Sequence, residues 1–379
     1  MHGDSSNPYF PVRCHEGSPN LDSATVARLV HSEVGLQSTL DVISVGYGMR
    51  GWGPITQLAK LAADIFSSDL TVVPGRQSLP RHFWVRSGMP RSISRERGKN
   101  ALLIVGVPGQ LYALLENPLW LGKYDHVAVW VIDSFWNERI PKVLRGTRRI
   151  DWIWVTDSND VADWQKFFGS RVGVLPWGAD TKAITSDYPL CSKNIDLLRI
   201  GRQPIAYEDD ELTQADASKL GVLFAGRPSF GSNEDESNQN LHSALSESKS
   251  VLAFSNIYDT TTYTHPTKEY VTGRWMDSLA HGAAVAGVLP NTETARSLVP
   301  PIGRIPLDPR DRGNGLRSVR EWVQDWQVET SIEIRKFAIE NLDWRHRLSA
   351  VDRHFGLHSD RLANEVLELE RISENLDIR

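Results

Sequence analysis

The feature that most limits the fold is a succession of short apolar runs without polar alternation, each followed by a helical pattern. Six fall in the first half: Asp41–Gly46, Leu70–Pro74, Ala101–Val105, His126–Ile132, Trp152–Thr156 and Val172–Pro176. Five more follow, at 195–200, 221–225, 250–254, 283–289 and 302–307. Such runs mark strands buried on both faces, as in a parallel sheet covered by crossover helices. Pro54–Phe66 shows the helical partner: Pro54 suits a first turn, and Ile55, Leu58, Ala62 and Ile65 share one face. A chain of 379 residues exceeds one ordinary core. The expectation is an α/β protein with two Rossmann-like domains. We divide it into an irregular extension (1–37), an N-terminal domain (38–178), a link where periodicity lapses (179–194), a C-terminal domain (195–340) and terminal helices that cross back to the N-terminal domain (341–379). In the last segment Leu362, Val366, Leu369, Ile372 and Leu376 form one amphipathic stripe.

Composition excludes several classes. The net charge of −5 leaves no nucleic-acid footprint. Two cysteines, Cys14 and Cys191, make neither a disulfide framework nor a metal cluster, which points to the cytoplasm. No run of about 18 apolar residues occurs, and Met1–Val12 lacks the apolar centre of a signal peptide. Contact with a membrane-bound acceptor at the surface stays compatible with this.

The richest motif is Tyr270–Pro290. It reads as a short helix capped by Thr272, stopped at a left-handed Gly282, then a small-residue strand. Arg274 lies in the first turn, where backbone N–H groups favour an anion, and Asp277 shares its face one turn on. A cation for phosphate beside a carboxylate for ribose hydroxyls suits a nucleotide sugar; an ion pair on an ordinary helix has the same spacing. Arg202, in the turn after Gly201, is a second phosphate candidate. His265 and Lys268, just before the motif, are candidate sugar or phosphate contacts. Gly46-x-Gly48-x-x-Gly51 follows a strand and precedes a helix, which permits close backbone approach to a ligand. The next strand ends Val73-Pro74-Gly75-Arg76, without the acid of an NAD site, and Arg76 would suit the 2′-phosphate of NADP instead. Asp133 ends the strand Val127–Ile132 at the crevice edge, beside Phe135 and Trp136, whose apolar rings would raise its pKa. It is the candidate general base, or else a turn cap. Asp157 and Ser158 read as helix caps, and Glu208–Glu211 as charges at a helix start, not as metal ligands.

Thr272-x-Arg274-x-x-Asp277-x-x-Ala280-x-Gly282 resembles the donor-site signature of GT-B glycosyltransferases, most of all the CgeB-like (spore-maturation-type) branch. Ile195–Gln203, with its Gly201-Arg202 turn, is similar to the opening of that family's C-terminal domain, and Asn341-Leu-Asp-Trp-Arg-His-Arg-Leu to its closing helix. The likeness covers roughly 190–357. The departure is Asp277, where the family has Glu. The resemblance implies two Rossmann-like domains facing across a cleft, and hexosyl transfer in polysaccharide or glycoconjugate biosynthesis. A nucleotide sugar serves as substrate, with no cofactor and no metal. Arg202, Arg274 and Thr272 would bind the donor diphosphate, Asp277 the ribose, and Gly46, Gly48 and Gly51 would face the cleft. The acceptor would be a sugar, a lipid-linked molecule or a small molecule. Two other readings stand beside it: a catalytically silent GT-B homologue that senses a nucleotide sugar, and an NADP-dependent oxidoreductase.

Overall fold

The computed structural model describes residues 38–46, 52–74, 97–112, 122–145, 150–190, 192–258 and 264–376. The expected extension 1–37, Gly48, Gly51 and Arg76 lie outside them. Residues 38–379 belong to one compact unit. Among the described residues, eleven strands form two wholly parallel sheets. The first contains β1 (Thr39–Gly46), β2 (Leu70–Pro74), β3 (Lys99–Val105), β4 (His126–Val131), β5 (Trp152–Val155) and β6 (Val172–Val174), in the order β2-β1-β3-β4-β5-β6. The second contains β7 (Ile195–Arg199), β8 (Phe224–Ala225), β9 (Ser248–Leu252), β10 (Ala284–Gly287) and β11 (Arg304–Pro306), in the order β11-β10-β9-β7-β8.

The lack of polar alternation has the expected cause. Val42, Leu102, Ile104, Ala128 and Trp130 enter one apolar cluster, while Ile43, Leu103, Val105, Val129 and Val131 enter another. Both faces of the first sheet are therefore dry, and each buried aliphatic side chain contributes about 1.5–3 kcal/mol. The helix Gly53–Ile65 buries Ile55, Leu58, Ala62 and Ile65, the stripe read from the sequence.

Each sheet has one place where successive crossovers leave in opposite directions. In the first it lies between β1 and β3, in the second between β7 and β9. Ligands bind outside the carboxyl ends of strands at such points. Gly46 ends β1, and its side of the first sheet lies at this switch point.

Residues 179–194, read as a link, contain regular structure. A helix, Thr181–Asp187, forms there, capped by Asp180, whose carboxylate accepts from the Ala183 N–H. Seven residues are too few to show a helical period. Asp343, wholly buried, accepts from the Thr181 N–H (2.9 Å) and hydroxyl (2.6 Å), and Arg345 pairs with Asp180 at 2.8 Å. The helix Trp344–Phe355 then lies against the first sheet. Its Trp344 ring meets Trp130 edge-on at 5.6 Å, and Arg347 donates to the Trp177 carbonyl at 3.1 Å. The terminal helix Asp360–Leu376 buries Leu362 and Leu369 of the predicted stripe. Among the described residues no helix is long and apolar enough to cross a membrane.

Candidate functional site

At the switch point of the second sheet, a cleft opens to solvent. Arg202 and Gln203 reach it from the end of β7, Ser255 and Asn256 from the end of β9, and Thr272 and Arg274 from the start of the helix Gly273–Ala280. Gly201 makes this arrangement possible. Its φ of +66° is left-handed, and a Cβ there would stand 3.2 Å from the Arg274 guanidinium. That close approach lets Arg274 Nη1 donate to the carbonyls of Arg202 (3.0 Å) and Ile200 (3.3 Å). The Arg274 guanidinium is thus anchored, and Arg202 lines the same wall. At the other end of the helix Gly282 adopts φ +70°, as the sequence predicts.

One expectation, the Thr272 cap, needs correction, and Asp277 and Lys268 have surroundings of their own. Thr272 occupies the N-cap position, yet its side chain makes no capping bond. Its carbonyl accepts from the Trp275 N–H at 3.1 Å, and the residue lines the cleft. Asp277 is not on the wall shared by Arg202, Arg274 and Thr272. Its carboxyl lies 3.7 Å from where a Gly273 Cβ would stand, close to the start of that helix, where Trp177 and Pro54 also approach. Asp277 is 7% exposed with no hydrogen-bond partner among the described residues, and burial pushes its pKa up to about 7. Lys268 does not face the donor wall. Its ammonium is taken up by Asp163 (2.8 Å), Asp160 (3.0 Å) and Asn137 (2.9 Å), all in the segments that follow β4 and β5. It ties the second sheet's loop to the first sheet. The partners lie over 100 residues away in sequence, where no local pattern could reveal them.

His265 sits beside the cleft, with its ring 5.0 Å from Trp136. Its Nδ1 accepts from the N–H groups of Lys268 (2.9 Å) and Thr267 (3.2 Å), which assigns the proton to Nε2. Burial lowers its pKa, so the ring is neutral at pH 7. Asn256 holds this loop in shape. Its amide donates to the carbonyls of Lys268 (2.7 Å) and His265 (3.1 Å) and accepts from the Tyr270 N–H (3.3 Å). No sequence signal singled out Asn256.

Asp133 lies just past β4, and its N–H donates to the Gly106 carbonyl at 2.6 Å. Its carboxyl caps no turn among the described residues. The residue keeps a partly exposed surface, yet the protein packed around the carboxyl pushes its pKa up to about 7, against the lowering pull of Arg139. The acid acts electrostatically on Tyr270, as do Arg202 and Arg274, so the four groups share one neighbourhood spanning both sheets. Asp157 does accept from the Asn159 N–H (2.9 Å), as read, and also from the Thr292 hydroxyl (2.8 Å), while the Ser158 N–H donates to Thr294 (3.0 Å). Those cross-sheet bonds were not legible. Asp209 caps the helix Asp210–Lys219, and Glu208 and Asp210 pair with Arg199, which matches the non-metal reading of that acidic run. Among the described residues no group of three or more His, Cys, Asp or Glu side chains is arranged to hold a metal ion.

No protein-family model matches the chain, and no curated protein matches it in sequence. Solved structures do match in shape. HepE from Anabaena, in complex with UDP and glucose, superposes with a TM-score of 0.52 at 8% identity, covering 83% of this chain and 99% of that one. A glycosyltransferase from Rickettsia africae gives 0.50 at 9% identity, with 84% and 98% covered. At such identities the likeness is one of fold: this is an α/β chain of two parallel sheets facing across a cleft, the GT-B architecture.

Proposed function

We propose that this chain is a glycosyltransferase that moves a sugar from a nucleotide-sugar donor to an acceptor hydroxyl. One observation carries the reading. A wall bearing Arg202, Arg274 and Thr272 stands at one sheet's switch point, with a high-pKa acid, Asp133, beside it from the other sheet. The arginines would hold the donor diphosphate and stabilise charge as it builds on the leaving group, which removes the need for a metal. Asp277 would meet the ribose hydroxyls after a small movement of either partner. Asp133, with a pKa matched to neutral pH, would take the acceptor proton in an inverting transfer. The superposition on HepE, a protein solved with UDP and glucose, supports a nucleotide-sugar donor. The Thr272-to-Gly282 signature supports placement near the CgeB-like branch, and the scarcity of cysteine a cytoplasmic location.

A thermal-shift panel of UDP-, GDP-, ADP- and dTDP-sugars with NADP, followed by nucleotide release, tests this. A nucleotide sugar should stabilise the protein and be turned over. Stabilisation without release under any acceptor would indicate a sensor, and a shift by NADP alone an oxidoreductase. Asp133→Asn should keep donor binding and lower transfer by roughly 100-fold; unchanged transfer would remove Asp133 from the mechanism.

A further inference from the structure

Phe135, Trp136 and Tyr270 form an apolar cluster separate from the other three. Phe135 belongs to the first sheet's β4 loop, Tyr270 to the segment entering the Arg274 helix. Their rings lie face to face, 6° from parallel, with centroids 3.5 Å apart. Phe135 is 3% exposed and Tyr270 9%. His265 closes one side, edge-on to Phe135 at 6.4 Å, and the Arg139 guanidinium covers Trp136 at 3.4 Å.

The position of this pair in the chain gives it a consequence. Asp133 precedes Phe135 by two residues, and Thr272 follows Tyr270 by two. Two residues span at most about 7 Å, so the stack stands within one short reach of both. We infer that the Phe135–Tyr270 stack is the positioning element of the cleft, holding Asp133 in register with Thr272 and Arg274 and sealing its carboxyl from water. Its importance for transfer rests on the function proposed above; its sealing role does not. The groups that act on Asp133 agree with a seal. Burial is the largest influence on its pKa, Arg139 opposes it from the same loop, and Tyr270 is coupled to it from the facing segment. The turn at Gly106, which also contacts Asp133, carries no charge.

The test needs no substrate. A folded-state pKa near 7 against 3.8 unfolded means that the folded protein holds a proton the unfolded chain has lost. Wild type therefore loses stability relative to Asp133→Asn as pH rises from about 4 to about 7, and the difference levels off above that. Tm differences between each parent and its Asp133→Asn derivative, measured from pH 4 to pH 8, report this window. Tyr270→Phe keeps the ring and should keep the window. Tyr270→Ala opens the seal, and the window should close at about pH 5. Phe135→Leu stays apolar, removes the stacking face with a smaller loss of volume than Tyr270→Ala and should shorten the window likewise, which covers the case of a Tyr270→Ala chain that fails to fold. A full window in both plate-breaking variants would overturn the inference, as would a Tyr270→Phe window as short as that of Tyr270→Ala. Where UDP-sugar turnover is measurable, Tyr270→Ala should lower kcat by at least tenfold while donor affinity changes less than threefold. A wild-type protein that binds no nucleotide sugar would defeat the functional reading and leave the window test standing.

Discussion

Asp277→Asn offers a quantitative check on the site. The wild-type carboxyl is 7% exposed, lacks a hydrogen-bond partner among the described residues, and has its pKa raised from 3.8 to about 7 by burial alone. A raised acid pKa means that the native state binds the proton more tightly than the unfolded state. Stability then falls as pH rises from about 4 towards 7 and is flat above. Integrating between pH 5 and pH 8 gives a relative loss on the order of 3 kcal/mol for wild type against the non-titrating asparagine. With an unfolding entropy of about 2.1 cal/mol/K per residue, that is a Tm difference of roughly 3–4 °C between the two pH values. Differential scanning calorimetry of both proteins at each pH measures it. A bound nucleoside diphosphate should shrink the difference, because ribose hydroxyls would satisfy the ionised carboxylate. A Tm gap that does not change between pH 5 and pH 8 would refute the argument that this acid is buried without a partner.

Two further substitutions separate structural from binding roles. Lys268→Met strands Asp160, which is 3% exposed, so urea unfolding should show a loss of about 3–5 kcal/mol; a loss under 1 kcal/mol would mean the tie between the two sheets is of little weight. Thr272→Val should leave stability within about 0.5 kcal/mol, because no cap bond is lost, and should weaken nucleotide binding; a destabilised protein with normal binding would restore Thr272 to the capping role.

The two sheets were legible because each strand buries both faces, which removes alternation and leaves an unmistakable run such as Val127–Val131. The left-handed Gly282 was legible for a local reason: a glycine past a short helical pattern has one common use. What escaped depends on distant partners. The Lys268 tie joins residues whose spacing in sequence carries no signal, and Thr272, a residue of capping type at the N-cap position, makes no capping bond. Tyr270 opens the signature stretch, but its partner Phe135 lies 135 residues earlier, so neither ring's role is visible alone. The helix Thr181–Asp187 escaped because it is held by Asp180 and Asp343 rather than by a periodic apolar face.

The central claim is that Arg274 and Arg202 form a diphosphate site. Isothermal titration of UDP, GDP, ADP and dTDP into wild type and Arg274→Ala, with the matching nucleosides as controls, tests it most directly. At least one diphosphate should bind wild type, and Arg274→Ala should weaken it by about 1.5–3 kcal/mol, the worth of a charge-assisted bond. The matching nucleoside, which lacks the phosphates, should bind both proteins equally. Binding of the diphosphate with unchanged affinity in Arg274→Ala, or no binding of any of the four to wild type, would contradict the account.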